Sequence, residues 1–320
     1  MLSAMKLLEE ETCVRFKKGQ GIGNYVDIRD SNYCSSNLGQ VKGKQKIEFG
    51  KYCEMTGTAV HELTHSLGIG HEMARFDRDT YVIVVESNII DSYKYNFKKL
   101  TSSNSYNPVP FEYGSVMMYG PKDFAVGSYE TIIPKDNDYY YTMGFQLTSF
   151  LDYKRLNIAY DCMCKNSTIT CKNGGYPHPN NCNKCFCPDG FGGQLCGQIK
   201  ADQIYTATSS WKSQTVSSNL ELVLYDNFTI ITFAINGQDT KSMEIQLLEA
   251  PTMQCQSKCP INGVEIKYLN NRSIRNPVQC CPDSTQWNVV KTSKNNPTFI
   301  RFYARSGFNN LNVKFRYRLI

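Results

Sequence analysis

Seven of the fourteen cysteines fall between residues 162 and 196, and the rest are spread thinly on either side. That unevenness constrains the fold more than any other feature. Cytosolic chains rarely keep so many thiols, so an even number in this density points to disulfides and an oxidising, extracellular environment. A cytosolic zinc cluster is the rival reading. It fails because the dense stretch offers no histidine pattern beyond His178, and its spacings are those of an extracellular module.

The cysteines cut the chain into three. Residues 1–162 are Cys-poor, rich in Tyr and Met, and mix helix and strand signals. Residues 163–197 are Cys-dense with Gly174, Gly175, Gly190, Gly192 and Gly193, as in a small loop-rich module. Residues 198–320 carry short alternating strands between Asn, Gly and Pro turns: Leu220–Leu224, Phe228–Phe233, Gly263–Lys267, Phe299–Tyr303 and Asn312–Tyr317. This pattern predicts an antiparallel sandwich. With 41% hydrophobic residues and 12% aromatic, 320 residues can bury two or three cores, which excludes a disordered chain. The longest apolar run, Tyr81–Val85, is far short of the roughly 20 residues a membrane span needs. A net charge of +6 without a basic block argues against nucleic-acid binding.

Within the first part, Met1–Glu11 predicts a helix with Leu2, Met5 and Leu8 on one face. Tyr25–Ile28 and Gln45–Phe49 alternate as strands. Thr58–Leu67 predicts a second helix, with Gly68 just past its end. That helix carries the chemistry. Three of the four histidines lie in His61-Glu62-Leu63-Thr64-His65-Ser66-Leu67-Gly68-Ile69-Gly70-His71, an H-E-x-x-H-x-x-G-x-x-H motif. Positions i and i+4 share a helix face, so His61 and His65 can hold one metal ion. Gly68 lets the helix turn sharply at positive φ, and His71 then reaches the same ion. Three neutral imidazoles suit one Zn²⁺ per chain and leave a position open for water. Zinc lowers the pKa of bound water from about 15.7 towards 7, and Glu62 beside it can act as general base and then general acid. The expected reaction is hydrolysis of a peptide bond. Surface histidines without a metal would not require Gly68 and His71 at these offsets.

The run continues as His71-Glu72-Met73-Ala74-Arg75-Phe76-Asp77-Arg78-Asp79, and Ser115-Val116-Met117-Met118-Tyr119-Gly120 follows later. With the flanks Thr12–Phe16, Lys94–Phe97 and Asp152, residues 1–162 resemble the astacin family of zinc endopeptidases. The whole chain resembles nematode astacins with epidermal-growth-factor-like (EGF-like) and CUB tails. The resemblance implies an α+β metzincin peptidase domain over 1–162, an EGF-like module over 163–197 and an all-β CUB-like sandwich over 198–320. Met118 and Ile69 depart from the commoner His and Phe of the family.

On matching positions, the resemblance gives His61, His65 and His71 as zinc ligands and Glu62 as catalytic base. Met117 becomes the apolar floor of the Met-turn. Tyr119 becomes a tyrosine that binds zinc at rest and then hydrogen-bonds the oxyanion. Arg75, Asp77, Arg78 and Asp79 read as an ion-pair network supporting the His71 loop. The implied disulfides are Cys13–Cys162, Cys34–Cys53, Cys164–Cys182, Cys171–Cys185 and Cys187–Cys196. Cys280 and Cys281 are each expected to reach back to Cys255 or Cys259, in either order. His178 is expected on an exposed loop.

Family members begin earlier than this chain, with a signal peptide, a prodomain and the first strand of the N-terminal sheet. This chain is therefore expected to be truncated at its start, and Glu72, which in the family pairs with the mature N-terminus, to lack a partner. Sequons begin at Asn166, Asn227 and Asn271 and permit glycosylation. The sum is a secreted endopeptidase acting on protein or peptide substrates, whose tail holds matrix or protein partners. The alternative is a catalytically impaired secreted binding protein in which the tail carries the function.

Overall fold

The computed structural model describes the chain apart from residues 20, 54, 220–227, 239–240 and 306–309, and the side chains of 52, 218, 219 and 310. The predicted strand Leu220–Leu224 and the Asn227 sequon lie outside the described residues. Asn166 and Asn271 are exposed. No described helix is long and apolar enough to cross a membrane. Two compact units emerge. The first comprises Met1–Asn137, Met143–Ser167 and Pro177–Cys182, the second Asp138–Thr142, Thr168–Tyr176 and Asn183–Ile320.

In the first unit, helix α1 (Leu2–Glu11) buries Ala4, Leu7 and Leu8. This differs from the expected face. Leu2 is 82% exposed, because spacings of three and four from Ala4, not from Leu2, turn inward. Strands β1 (Tyr25–Ser31), β2 (Cys34–Ser36) and β3 (Lys44–Gly50) form a sheet in the order β1-β3-β2, parallel for β1 with β3 and antiparallel for β2 with β3. Behind it runs α2 (Thr56–Ser66), whose Ala59, Val60 and Leu63 are buried. Strands β4 (Val82–Val84) and β5 (Ile132–Pro134) pair antiparallel. The last helix, α3 (Phe150–Ala159), starts at a capping box: Ser149 Oγ accepts from Asp152 N, and Asp152 accepts from Ser149 N. Cys13–Cys162 joins the end of α1 to the end of α3, and Cys34–Cys53 joins β2 to the turn before α2.

The Cys-rich stretch holds β6 (Tyr176–His178), β7 (Asn181–Phe186), β8 (Phe191–Gly192) and β9 (Gln198–Ile199). Its disulfides are Cys164–Cys182, Cys171–Cys185 and Cys187–Cys196. His178 is not on an exposed loop. It belongs to β6, its side chain is 18% exposed, and its Nε2 lies 3.7 Å from Glu11 Oε2. The end of α1 and the end of β6 meet there.

The rest of the second unit is a sandwich of two sheets. One orders β10 (Gln203–Thr206), β12 (Phe228–Asn236), β17 (Thr298–Arg305), β14 (Asn262–Ile266) and β15 (Val278–Gln279). The other orders β11 (Lys212–Asn219), β18 (Asn310–Leu319), β13 (Met243–Glu249) and β16 (Lys291–Ser293). The described pairs are antiparallel except β10 with β12, which run parallel. Strand alternation carries no sign of that exception. Alternation is plain on β18: Leu311, Val313, Phe315, Tyr317 and Leu319 point into the core and Lys314, Arg316 and Arg318 outward. They meet Phe233, Val264 and Phe302 of the facing sheet. The two open pairings resolve as Cys255–Cys281 and Cys259–Cys280.

Candidate metal centre and catalytic site

Helix α2 sets the site. His61 and His65, four residues apart, have ring centroids 4.5 Å apart. The helix ends in a Schellman motif at Gly68 (φ +87°): Gly68 N donates to His65 O at 2.8 Å and Ile69 N to Thr64 O at 3.2 Å. This reversal brings the His71 ring to 4.4 Å from His65 and 5.3 Å from His61. One ligand atom from each of the three histidines lies within 4.8 Å of the others.

The fit to a metal can be read from the ring nitrogens. His61 Nδ1 faces Val116 O at 2.6 Å, and His65 Nδ1 faces Ile69 O at 2.9 Å. A carbonyl partner makes each Nδ1 the protonated nitrogen and leaves Nε2 with its lone pair. His65 Nε2 and His71 Nε2 stand 2.9 Å apart. Two ligands about 2.05 Å from a tetrahedral zinc are about 3.3 Å apart, so this spacing is close to what a shared ion demands. Burial depresses the pKa of His65 to about 3 and that of His71 well below its usual value, with the neighbouring histidines adding to both. Burial thus favours the neutral form of His65 and His71, the form a metal ligand must take. The residues fit Zn²⁺.

Glu62 is buried, 5% exposed, and burial raises its carboxyl to about 7. Tyr119 is half-buried with its ring 4.4 Å from that of His71. Burial raises its phenol, and the nearby Asp123 and Glu62 add to the rise. Met117 is buried, 1% exposed. Its turn is fixed from α3: Ser115 Oγ donates to Asp152 at 2.5 Å and Val116 N to Asp152 at 3.0 Å. Glu72 N donates to Met117 O at 2.9 Å, tying the His71 loop to the same turn.

The family model for astacin, a peptidase family, matches residues 1–161. Zinc metalloproteinase nas-17 of Caenorhabditis elegans is 37% identical over 320 residues, covering 99% of this chain and 74% of the relative. Zinc metalloproteinase nas-16 of the same organism is 36% identical, with 99% and 70% covered. Among solved structures, high choriolytic enzyme 1, a hatching enzyme zinc-protease from Oryzias latipes (medaka fish), aligns at 32% identity and a TM-score of 0.46, covering 50% of this chain and 80% of its own. The chain belongs to the astacin family. It is a zinc metalloendopeptidase.

One expectation about this astacin is overturned. Glu72 is not unpaired. Its two oxygens accept from Arg75 Nη1 at 2.9 Å, from Arg155 Nη1 at 2.8 Å and from Glu112 N at 2.9 Å. Arg75 also grips Asp77 with two bonds. Arg78 serves mainly the backbone, donating to the carbonyls of Met73 and Phe97, and meets Asp79 at 3.2 Å. Asp79 is itself 58% exposed and paired with Lys99 at 2.5 Å. In both pairs the arginine is buried and the aspartate is the more exposed partner, at 27% for Asp77 and 58% for Asp79.

Two residues of the astacin centre carry no signal of their own in sequence, and a third, Gly57, reads there only as a possible start of the helix. Arg155 and Glu112 reach Glu72 from far along the chain. Gly57 sits where a Cβ would come within 1.8 Å of Gln146 O. Asp152 is marked in sequence only by the resemblance, and its role is to cap α3 and hold the Met117 turn.

Proposed function

We propose that His61, His65 and His71 hold the zinc of this endopeptidase, that Glu62 is its general base and that Tyr119 assists at the oxyanion. Bound zinc supplies Lewis-acid chemistry, acidifying water and polarising the scissile carbonyl. Glu62 takes the proton of the attacking water and returns it to the departing amine. Tyr119, kept as a neutral phenol by burial, donates a hydrogen bond to the oxygen on which charge develops. His61 Nδ1 and His65 Nδ1 are oriented by backbone carbonyls, which keeps the ligand faces fixed.

The observation that carries this reading is the convergence of His61, His65 and His71 to within 4.8 Å of one another, on and just past the helix that also holds the buried carboxyl of Glu62. The test is casein hydrolysis by the zinc-loaded chain beside Glu62→Gln. The variant is expected to lose at least the roughly 10²–10⁴-fold that a general base contributes. Full activity in Glu62→Gln would overturn the assignment.

The division into a peptidase domain (1–162), an EGF-like module (163–197) and a CUB-like sandwich (198–320) belongs to the same proposal. It is supported by first-to-third, second-to-fourth and fifth-to-sixth pairing in the Cys-rich stretch and by the two-sheet core behind it. Seven disulfides support secretion. In an extracellular enzyme, Asn166, Asn227 and Asn271 are glycosylation acceptors, and the tail holds a protein or matrix partner. Against the alternative of an impaired binding protein stand the intact Glu62 and the pairing of Glu72 with Arg75 and Arg155.

A further inference from the structure

An aromatic surface runs outward from Tyr119. The Tyr119 ring packs on Phe97 at 5.5 Å and on Phe124 at 5.1 Å, and Phe124 packs on Tyr93 at 4.4 Å. Exposure rises along this series. Phe97 is buried, Tyr119 and Phe124 are half-buried, and Tyr93 and Tyr95 are 38% and 72% exposed. The Tyr95 phenol is close enough to be among the groups that raise the Tyr119 pKa.

Phe124 has φ +58°, a costly conformation for a bulky side chain. It persists because the loop is pinned on three sides. Asp123 accepts from Gly120 N at 2.8 Å, Asp123 O from Thr131 Oγ1 at 2.8 Å, and Phe124 O from Ile90 N at 3.0 Å. Glycine would adopt this backbone freely. What phenylalanine adds is its ring, placed between the Tyr119 and Tyr93 rings.

We propose that Phe124, Tyr93 and Tyr95 form a substrate subsite adjoining Tyr119 that takes an aromatic side chain of the polypeptide being cleaved. The proposal rests on the reading of the histidine triad, Glu62 and Tyr119 as the catalytic centre. Rings pack edge-to-face or offset with centroids about 4.5–7 Å apart. A substrate ring laid on exposed Tyr93 and half-buried Phe124 extends a series already spaced in that way. An exposed aromatic surface continuous with a catalytic centre is a binding surface by position as well as by composition.

The test uses peptides that differ only in one residue flanking the scissile bond, scanned on both sides as Phe, Leu, Ala or Asp. kcat and KM are measured for wild type, Tyr93→Ala and Tyr93→Phe, all zinc-loaded. At one position the wild type is expected to favour Phe over Leu by roughly two- to ten-fold and over Ala by roughly ten-fold or more. Tyr93→Ala is expected to collapse the Phe-to-Ala ratio, chiefly through KM, and Tyr93→Phe to keep it. A wild type that cleaves casein but shows no Phe preference on either side overturns the subsite and leaves the protease reading intact. So does a Tyr93→Ala variant that loses activity equally on all peptides. A wild type that cleaves nothing defeats the protease reading, and the subsite with it.

Discussion

Arg155 Nη1 lies 2.8 Å from Glu72 Oε2, and the two side chains are 7% and 3% exposed. The helix that ends the metal-binding unit thus reaches across 83 residues to the residue after the third histidine. Removing one partner of a buried pair leaves the other charge desolvated, at a cost of about 3–5 kcal/mol. Arg155→Met is expected to lower the melting temperature of the metal-free protein. Because Glu72 is bonded to the Met117 turn and follows His71, the variant should also bind zinc more weakly. Thermal melts and zinc competition with a chelator check both. An unchanged melt would show that Arg75 alone suffices for Glu72.

Gly57 makes a second prediction, opposite in sign to helix propensity. Alanine is about 1 kcal/mol better than glycine inside a helix. A Cβ on Gly57, however, would sit 1.8 Å from Gln146 O and 2.7 Å from its carbonyl carbon. Backbone must then move, and overpacking of this kind costs about 1–3 kcal/mol. Gly57→Ala is expected to melt below wild type and to weaken zinc binding, since α2 carries two ligands. A more stable variant would contradict the packing.

Acid should act on the second unit through Asp189. Its partners are Arg301 at 2.5 Å and Lys267 at 4.0 Å. Burial raises its carboxyl, but the surrounding cations, Arg301 first and then Lys267, Arg275 and Lys200, together more than offset this, and the pKa lies below the usual value. A depressed folded-state pKa gives stability that is present above the unfolded value of about 3.9 and is lost as pH falls through the folded one. Melting followed from pH 6 down to pH 2 should show an acid-induced loss that is smaller in Asp189→Asn. Identical acid profiles for the two proteins would rule out Asp189 as the acid-sensitive group.

Metal removal is the fourth prediction. A ligand that binds only the folded state stabilises it by RT ln(1 + [L]/Kd), about 4 kcal/mol at a thousand-fold excess over Kd. Chelation should lower the melting temperature of the first unit and abolish casein hydrolysis, and added zinc should restore both. The sandwich melt should not move. Hydrolysis that survives chelation to the zinc-free state would contradict the metal centre.

The local part of the site is legible from spacing alone. A four-residue interval on a helix and a glycine at the turn place His61, His65, Gly68 and His71 without reference to anything distant. The strands are legible where one face is buried, as on β18. Long-range choices leave no such trace. Nothing around Arg155 marks it as the partner of Glu72, and nothing around Gly57 announces the Gln146 carbonyl. The ten residues of α1 offer two apolar faces, and packing selects Ala4, Leu7 and Leu8. The order of Cys255 and Cys259 with Cys280 and Cys281 stays open in sequence because neighbouring cysteines can reach either partner.

The most direct measurement is zinc content and casein hydrolysis on the same purified samples of wild type and Glu62→Gln. One zinc per chain is expected in both proteins, with hydrolysis in wild type only. Folded wild type that takes up no zinc, or hydrolysis that persists in Glu62→Gln, would contradict the assignment of the catalytic centre.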